Sequence, residues 1–197
     1  MTMAERKRRL VSDELTEAAL QLLALKGFDG VTVDEIVNAA GVSKRTFFRY
    51  FASKEDVVVQ FLADMGVGMR TELTARPAAE RPSEALLHTV RVPVAACAGH
   101  SERMLRVVQL ILRTPALRAR FLERQAQWRD DLATELTARL SLDPTSLYPQ
   151  LAAGAALTAF DAVLQRWSNS DAKEDPMALL TEAFTLLAPS LDGITAH

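Results

Sequence analysis

Three polar side chains stand together at the start of a short predicted helix: Lys44, Arg45 and Thr46. An arginine guanidinium group can donate two parallel hydrogen bonds to O6 and N7 of a guanine, and threonine offers a base edge both a hydroxyl and a methyl group. Arg49 and Tyr50 follow on the same helix, and these two residues and Lys54 can donate hydrogen bonds to phosphate oxygens, which fix position without reading sequence. Recognition of double-stranded DNA is therefore the chemistry that this group could perform.

Two short helices must position these side chains. The string TVDE at residues 32–35 is a capping box, in which the threonine caps the first turn and the glutamate reaches back to the cap. Gly41 predicts the end of this helix, and Ser43 is a favourable N-cap for the next one, which we expect over 44–51. Two short helices joined by the string GVS predict a helix-turn-helix, whose second helix lies in the major groove.

Helix signals recur along almost the whole chain. Leu15, Ala19 and Leu23 share one face of a first helix, whose first turn we expect at Asp13 and Glu14. The remaining helices are expected to begin near a serine or a proline and to end near a glycine or a proline: starts at Ser53, Ser83, Ser101, Pro115, Pro149 and Pro176, and ends at Gly99 and before Pro189. No alternation typical of β-strands appears, so we predict an all-α fold of about nine helices.

The composition is that of a globular protein, since 49% of the 197 residues are hydrophobic and 24% are charged. Cys97 is the only cysteine, which excludes an internal disulfide framework and favours a reducing compartment. No apolar run approaches the roughly 18 residues of a membrane span, so we expect a cytoplasmic protein without a membrane partner. The net charge of −2 is uneven, because residues 141–197 hold seven acidic and two basic side chains. It therefore says little against DNA binding elsewhere.

Enzymatic chemistry finds little support among the reactive residues. The three histidines, His88, His100 and His197, have no metal-ligand spacing, and Cys97 has no base at a recognisable distance. No glycine-rich phosphate loop and no HExxH string occurs. We expect neither catalysis nor a cofactor nor a bound metal. A module that kept the fold but lost DNA binding is a second alternative, against which the intact cations at residues 44, 45 and 54 argue.

The string GVSKRTFFRYFASKEDV, together with TVDEI and AAGVS before it, resembles the TetR family of regulators over residues 8–65. This resemblance implies a helix-turn-helix DNA-binding domain at 8–65 and a helical effector-binding and dimerisation domain at 83–192. It also implies a dimeric repressor that binds a palindromic operator and is released by a small effector. Residues 75–82, ARPAAERP, are the expected connection between the two domains.

Nine residues form the candidate DNA-binding set. They combine the positions that usually face DNA in this family with the helix cap and donors argued above: Thr32, Ser43, Lys44, Arg45, Thr46, Phe48, Arg49, Tyr50 and Lys54. Phe48 departs from the family pattern, because a phosphate-contacting tyrosine often stands there and its hydrogen bond is lost. Considered one at a time, Phe47, Phe48 and Phe51 are more typical of core residues than of DNA contacts. Two interpretations of the basic run at residues 6–9, RKRR, stay open. It is either a solvated tail or an arm that contacts phosphates or the minor groove.

An arginine-rich stretch dominates the second domain, with six arginines and one acidic residue between Arg103 and Arg124. It could hold an anionic headgroup with forked donors, or be the solvated face of an amphipathic helix. The surrounding string VVQLILRTPALRARFLERQAQWRDDL resembles mycofactocin-type TetR regulators, which implies a long-chain acyl-CoA or another amphipathic anion. A multidrug-type pocket for neutral or cationic hydrophobic compounds is the alternative. The candidate ligand-binding residues are Met104, Val108, Leu112, Phe121, Arg124, Trp128, Phe160 and Trp167.

Two apolar stripes near the C-terminus are candidates for a homodimer interface. One consists of small residues and the other of large ones: Ala152, Ala153, Gly154, Ala155, Ala156 and Ala159, then Leu179, Leu180, Ala183, Phe184 and Leu187. Family resemblance favours a four-helix interface, while burial against their own domain is the alternative. A dimer is expected because two heads must span half-sites about one DNA turn apart, ~34–36 Å.

Overall fold

The computed structural model describes residues 2–98 and 101–193, and these residues form helices without any strand. In chain order the helices are α1 (Met3–Lys26), α2 (Val33–Ala39), α3 (Lys44–Tyr50), α4 (Lys54–Ala75), α5 (Pro82–Ala98), α6 (Ser101–Arg113), α7 (Pro115–Arg139), α8 (Tyr148–Asn169) and α9 (Pro176–Asp192). The prediction of an all-α fold is confirmed. Gly99, His100 and His197 lie outside the described residues, so the predicted end of α5 at Gly99 stays a prediction.

Local sequence signals account for most helix boundaries. The side chains of Thr32, Ser43 and Ser53 each accept a hydrogen bond from an amide in the first turn of the following helix, as predicted. Gly27 and Gly41 follow α1 and α2 with φ of 74° and 65°, a left-handed conformation that glycine adopts without a steric penalty. These caps and stops make the boundaries readable from sequence.

Two boundaries differ from the expectation. Helix α1 begins at Met3, well before the turn expected at Asp13. Helix α9 continues through Pro189 to Asp192. The last turn of α9 is held from outside, because Leu191 is buried and the Asp192 carboxylate accepts hydrogen bonds from Ser83 N (2.9 Å) and Ser83 Oγ (2.7 Å). Such tertiary contacts offset the loss of the backbone hydrogen bond that a proline cannot donate.

Two helix packings connect the head (residues 8–65) with the body (residues 83–192): α1 contacts α6, and α4 extends from one into the other. Helix α4 packs against α1 in the head and against α5 and α7 in the body. Its buried residues run almost its full length: Val57, Val58, Leu62, Gly66, Met69 and Leu73. It continues without a break past residue 65, the expected end of the head. A displacement in the body can therefore reach the head through one continuous helix.

Gly66 sets the distance between α4 and α7. A Cβ atom built on Gly66 would lie 2.2 Å from Nε1 of Trp128, so only glycine leaves room for this indole. Trp128 is 2% exposed, and its ring packs edge-on against Phe121 and Phe160 at centroid distances of 6.0 and 6.2 Å. The indole is confined on all these sides and cannot move aside cheaply.

Replacing Gly66 by alanine should therefore destabilise the protein. The added methyl group overpacks the α4–α7 contact at a cost of about 1–3 kcal/mol, against which alanine gains at most ~1 kcal/mol of helix propensity. Gly68→Ala is the matched control on the same helix, since its Cβ would meet only Val92 Cγ1 at 3.4 Å. Urea unfolding should give a lower free energy for Gly66→Ala and an equal or higher one for Gly68→Ala. Equal stabilities of the two variants would contradict the tight contact.

Candidate DNA-binding surface and effector cavity

The α1–α2 connection is tied by a network around the capping box. Glu35 Oε2 accepts a hydrogen bond from Thr32 N at 2.9 Å, and Thr32 Oγ1 accepts one from Glu35 N at 3.3 Å. Lys26 Nζ donates to Glu35 Oε1 at 2.6 Å. The hydrogen bond from Lys26, followed by those from Thr32, lowers the pKa of Glu35 to about 2. Thr32, a candidate DNA-binding residue, thus has a structural function at the start of α2.

Helix α3 presents its N-terminal cations to solvent. Ser43 Oγ accepts a hydrogen bond from Thr46 N at 3.1 Å, and the hydroxyl groups of Ser43 and Thr46 lie 2.9 Å apart. Lys44 Nζ lies 3.0 Å from the Asp34 carboxylate in an exposed ion pair. Arg45 is exposed, and its side chain has no hydrogen bond or ion pair within the described part of the chain. Its guanidinium group is therefore available to a ligand.

The end of α3 carries a phenol between two arginines. Arg49 Nη2 donates to Tyr50 Oη at 3.3 Å, and its guanidinium carbon lies 5.1 Å from the centre of the Tyr50 ring. The Arg8 guanidinium lies 6.0 Å from the same ring. The basic run at residues 6–9 is exposed and belongs to α1, so both interpretations of this run, a solvated segment and a contact to phosphates or the minor groove, stay predictions.

The three phenylalanines at residues 47, 48 and 51 have different environments. Phe47 and Phe51 are buried, as predicted. Phe48 is 51% exposed and rests edge-on against Phe47 at 5.4 Å, so the prediction of a core position was wrong for Phe48. It lies one residue beyond the buried Phe47, and the step of about 100° per residue turns it away from the core.

Lys54 is hydrogen-bonded to the connection between α1 and α2. Its Nζ donates to the carbonyl oxygens of Phe28 (2.6 Å) and Val31 (2.9 Å) and lies 4.3 Å from the centre of the Phe28 ring. Two of its three N–H donors are thus used inside the protein. The sequence predicted only a phosphate contact and missed this function, because nothing local indicates that α4 begins beside the α1–α2 connection.

A small apolar cavity lies in the body, between α4, α5, α6, α7 and α8. Its volume is about 20 Å³, which is space for roughly one water molecule. Its walls are apolar side chains and one thiol: Phe61, Leu62, Met65, Cys97, Val108, Ile111, Leu112, Phe121, Phe160 and Leu164. Burial raises the pKa of the Cys97 thiol to about 12, so it remains protonated and acts as a small apolar group.

Four of the eight candidate ligand-binding residues line this cavity: Val108, Leu112, Phe121 and Phe160. Met104, Trp128 and Trp167 are buried outside its walls, although Trp128 supports two of the lining rings. Arg124 lies at the surface, where its Nη1 donates to Gln127 Oε1 at 2.7 Å. The lining residues of α4 and α5 were missed, because a helical stripe shows that a residue is buried but not what it faces.

The six arginines between Arg103 and Arg124 do not converge on one point. Four of them form separate ion pairs, two with carboxylates of other helices and two within their own helix: Arg103 with Glu17 and Arg118 with Asp161, then Arg106 with Glu102 and Arg120 with Glu123. Most of the stretch is therefore a set of separate surface and interhelical pairs. Their ion pairs favour the alternative of a charged surface for these four residues, and an anion-binding entrance stays a prediction.

Most of the two stripes expected in a dimer interface is buried inside the chain. The buried members are Ala152, Ala153, Ala156, Ala159, Leu179, Leu180 and Phe184, while Gly154, Ala155, Ala183 and Leu187 remain partly exposed. The alternative, burial against their own domain, applies to the buried set. Exposed leucines lie elsewhere on α7 and α8, where Leu122 and Leu151 border a groove of about 510 Å³.

Helices α2 and α3, with their caps and the exposed cations of α3, define a helix-turn-helix protein. Residues 15–61 match the family of bacterial regulatory proteins called the tetR family, and residues 76–192 match the MftR C-terminal domain. The chain belongs to the TetR family of transcriptional regulators and has an MftR-type C-terminal domain. It is thus a DNA-binding regulator and not an enzyme.

Three similar proteins support this assignment. The transcriptional regulator TcmR of Streptomyces glaucescens is 33% identical over 147 residues, which cover 72% of this chain but only 65% of TcmR. A Mycobacterium tuberculosis protein named as the mycofactocin biosynthesis regulator MftR is 29% identical, covering 96% of this chain and 95% of MftR. The structure of Thermus thermophilus FadR, a TetR-family repressor in complex with lauroyl-CoA, has a TM-score of 0.60 at 25% identity, covering 89% of this chain and 92% of FadR.

Among the described residues, no helix combines the length and the apolar character that a membrane span requires.

The function of Lys54 in the head can be tested by Lys54→Met. Because two hydrogen bonds from a charged donor are lost at a partly buried position, we expect the free energy of unfolding to fall by about 1–3 kcal/mol. Lys44→Met is the matched control, since it breaks only an exposed ion pair worth at most ~1 kcal/mol. Urea unfolding of both variants measures the difference. A Lys54→Met variant as stable as Lys44→Met would leave only the phosphate contact predicted from the sequence.

Proposed function

We propose that this regulator binds a palindromic operator as a homodimer, with α3 in the major groove and Arg45 reading base edges. The observation that carries the proposal is the exposed Arg45 guanidinium, which has no hydrogen bond or ion pair among the described residues, on a helix capped by Ser43. A side chain without internal partners can donate both of its parallel hydrogen bonds to a guanine. Lys44, Thr46, Arg49 and Tyr50 add donors along the same helix.

Arg45→Ala tests base reading directly. It should weaken binding to the DNA upstream of its own gene by about 1–3 kcal/mol and relax the preference for that fragment over unrelated DNA. Arg113→Ala removes the same charge from an exposed site in the body and should leave both quantities unchanged. Fluorescence anisotropy at several salt concentrations separates the effects. Each phosphate contact contributes about −0.9 to the slope of the logarithm of the association constant against the logarithm of the salt concentration. Equal losses on both DNAs would overturn the specific function of Arg45.

The homodimer is supported by the exposed apolar surface of α7 and α8. Leu122 and Leu151 are 49% and 69% exposed and border the same groove. Large exposed apolar side chains that share a groove are typical of interaction surfaces. We infer that this outward surface, and not the buried small-residue stripe, forms the dimer contact. Light scattering of a Leu151→Glu variant, with Leu25→Glu on α1 as the matched exposed control, tests the location.

We further propose that the effector is a long-chain acyl-CoA whose acyl chain enters the apolar cavity. The cavity has no charged side chain in its described lining, which suits a hydrocarbon chain and not an anionic headgroup. The lauroyl-CoA complex of the FadR relative supports this class of ligand. Since about 20 Å³ is far too small for an acyl chain, the effector must favour a more open conformation. Operator release then follows if that conformation does not match the half-site spacing.

Acyl-CoAs of increasing chain length distinguish this effector from the alternative. Each added buried methylene contributes about 0.8 kcal/mol, so affinity should rise steeply from short to long chains. Palmitoyl-CoA should release the DNA, whereas free coenzyme A should not. Calorimetry measures binding, and anisotropy of labelled DNA measures release. Release by neutral or cationic hydrophobic drugs, with none by any acyl-CoA, would establish a multidrug-type pocket instead.

A further inference from the structure

The N-terminal part of α1 is a helical extension that the core does not explain. The first buried side chain of α1 is Leu15, while the basic run at residues 6–9 and Leu10 are exposed. Val11 is partly buried and packs against the core, so helix α1 projects about two turns of backbone beyond its first core contact. The exposed charge of this extension is directed at something other than the protein interior.

Arg8 connects this extension to α3. Its guanidinium group lies over the ring of Tyr50, and Arg49 lies over the same ring from its own helix while donating to the Tyr50 hydroxyl group. Contacts of a guanidinium group with an aromatic ring are favourable, and they hold the arginine in a defined place. Two cations, one from α1 and one from α3, thus converge on one phenol.

The charges around this group restrict where an anion could bind. A groove of about 410 Å³ beside Tyr50 is lined by residues of both signs: Arg8, Arg9, Ser12, Asp13, Tyr50, Phe51, Gln60 and Asp64. The carboxylates of Asp13 and Asp64 disfavour an anion within the groove. Arg49 does not line the groove and marks its rim, where two guanidinium groups flank Tyr50. The anion site is therefore the rim formed by Arg8, Arg49 and Tyr50.

We propose that Arg8, placed by its contact with Tyr50, binds a phosphate of the DNA backbone together with Arg49 and the Tyr50 hydroxyl group. The proposal rests on the proposed DNA-binding function and adds a second helix to the interface. Such a contact strengthens binding to every sequence and fixes the register of α3 without reading bases.

Salt dependence of binding to a duplex of unrelated sequence tests this contact. Arg8→Gln should reduce the steepness of the log–log salt slope by about 0.9 for each bound head. Arg113→Gln is the control for net charge, because it removes an exposed arginine from the body, and its slope should equal that of the unmodified protein. Circular dichroism melting should show that both variants keep the wild-type midpoint, since both side chains are exposed.

A double-mutant cycle tests the placement by Tyr50. If the ring holds Arg8 in place, Tyr50→Leu should abolish most of the effect of Arg8→Gln, whereas independent contacts would give additive losses. An unchanged slope in Arg8→Gln, with clear binding by the wild type, would overturn this proposal alone. Absence of salt-dependent binding by the wild type would overturn the proposed DNA-binding function as well. Additive losses would retain the phosphate contact and overturn its dependence on Tyr50.

Discussion

The close approach of α4 to α7 at Gly66 and Trp128 is the contact on which the arrangement of this molecule depends. It exists because residue 66 has no side chain, so the indole of Trp128 packs directly against the backbone of α4. The same indole supports Phe121 and Phe160, two walls of the body cavity. Phe61, Leu62 and Met65 of α4 form further walls. A ligand that enlarges the cavity on this side would therefore displace these rings or α4 itself.

The head is constructed so that such a displacement reaches α3. Lys54, the first residue of α4, holds the carbonyl groups of Phe28 and Val31 in the connection that precedes α2. Lys26 and Glu35 tie the same connection to α1. These hydrogen bonds join α1, α2 and α4 at one place. In the proposed homodimer, rotation of the two heads is the expected way to change the spacing between the reading helices.

Particular residues show which inferences from sequence succeeded. Caps at Thr32, Ser43 and Ser53 were predictable because a cap hydrogen bond joins residues three apart in sequence. Phe48 and the small-residue stripe of α8 were not, because apolar character alone does not say which neighbour covers a side chain. The ion pairs of Arg103 and Arg118 were not predictable for the same reason, because their partners Glu17 and Asp161 lie on other helices.

The DNA-binding helix and its cations were thus determined by the sequence itself, since helix periodicity, capping and the types of exposed side chain are local properties. Only the tertiary structure decided that Lys54 braces the head and that Arg8 lies on Tyr50. It alone also decided that Cys97 and Met65 share a cavity with Phe160. These contacts join residues far apart in the chain, and the packing of whole helices, not any local preference, brings such residues together.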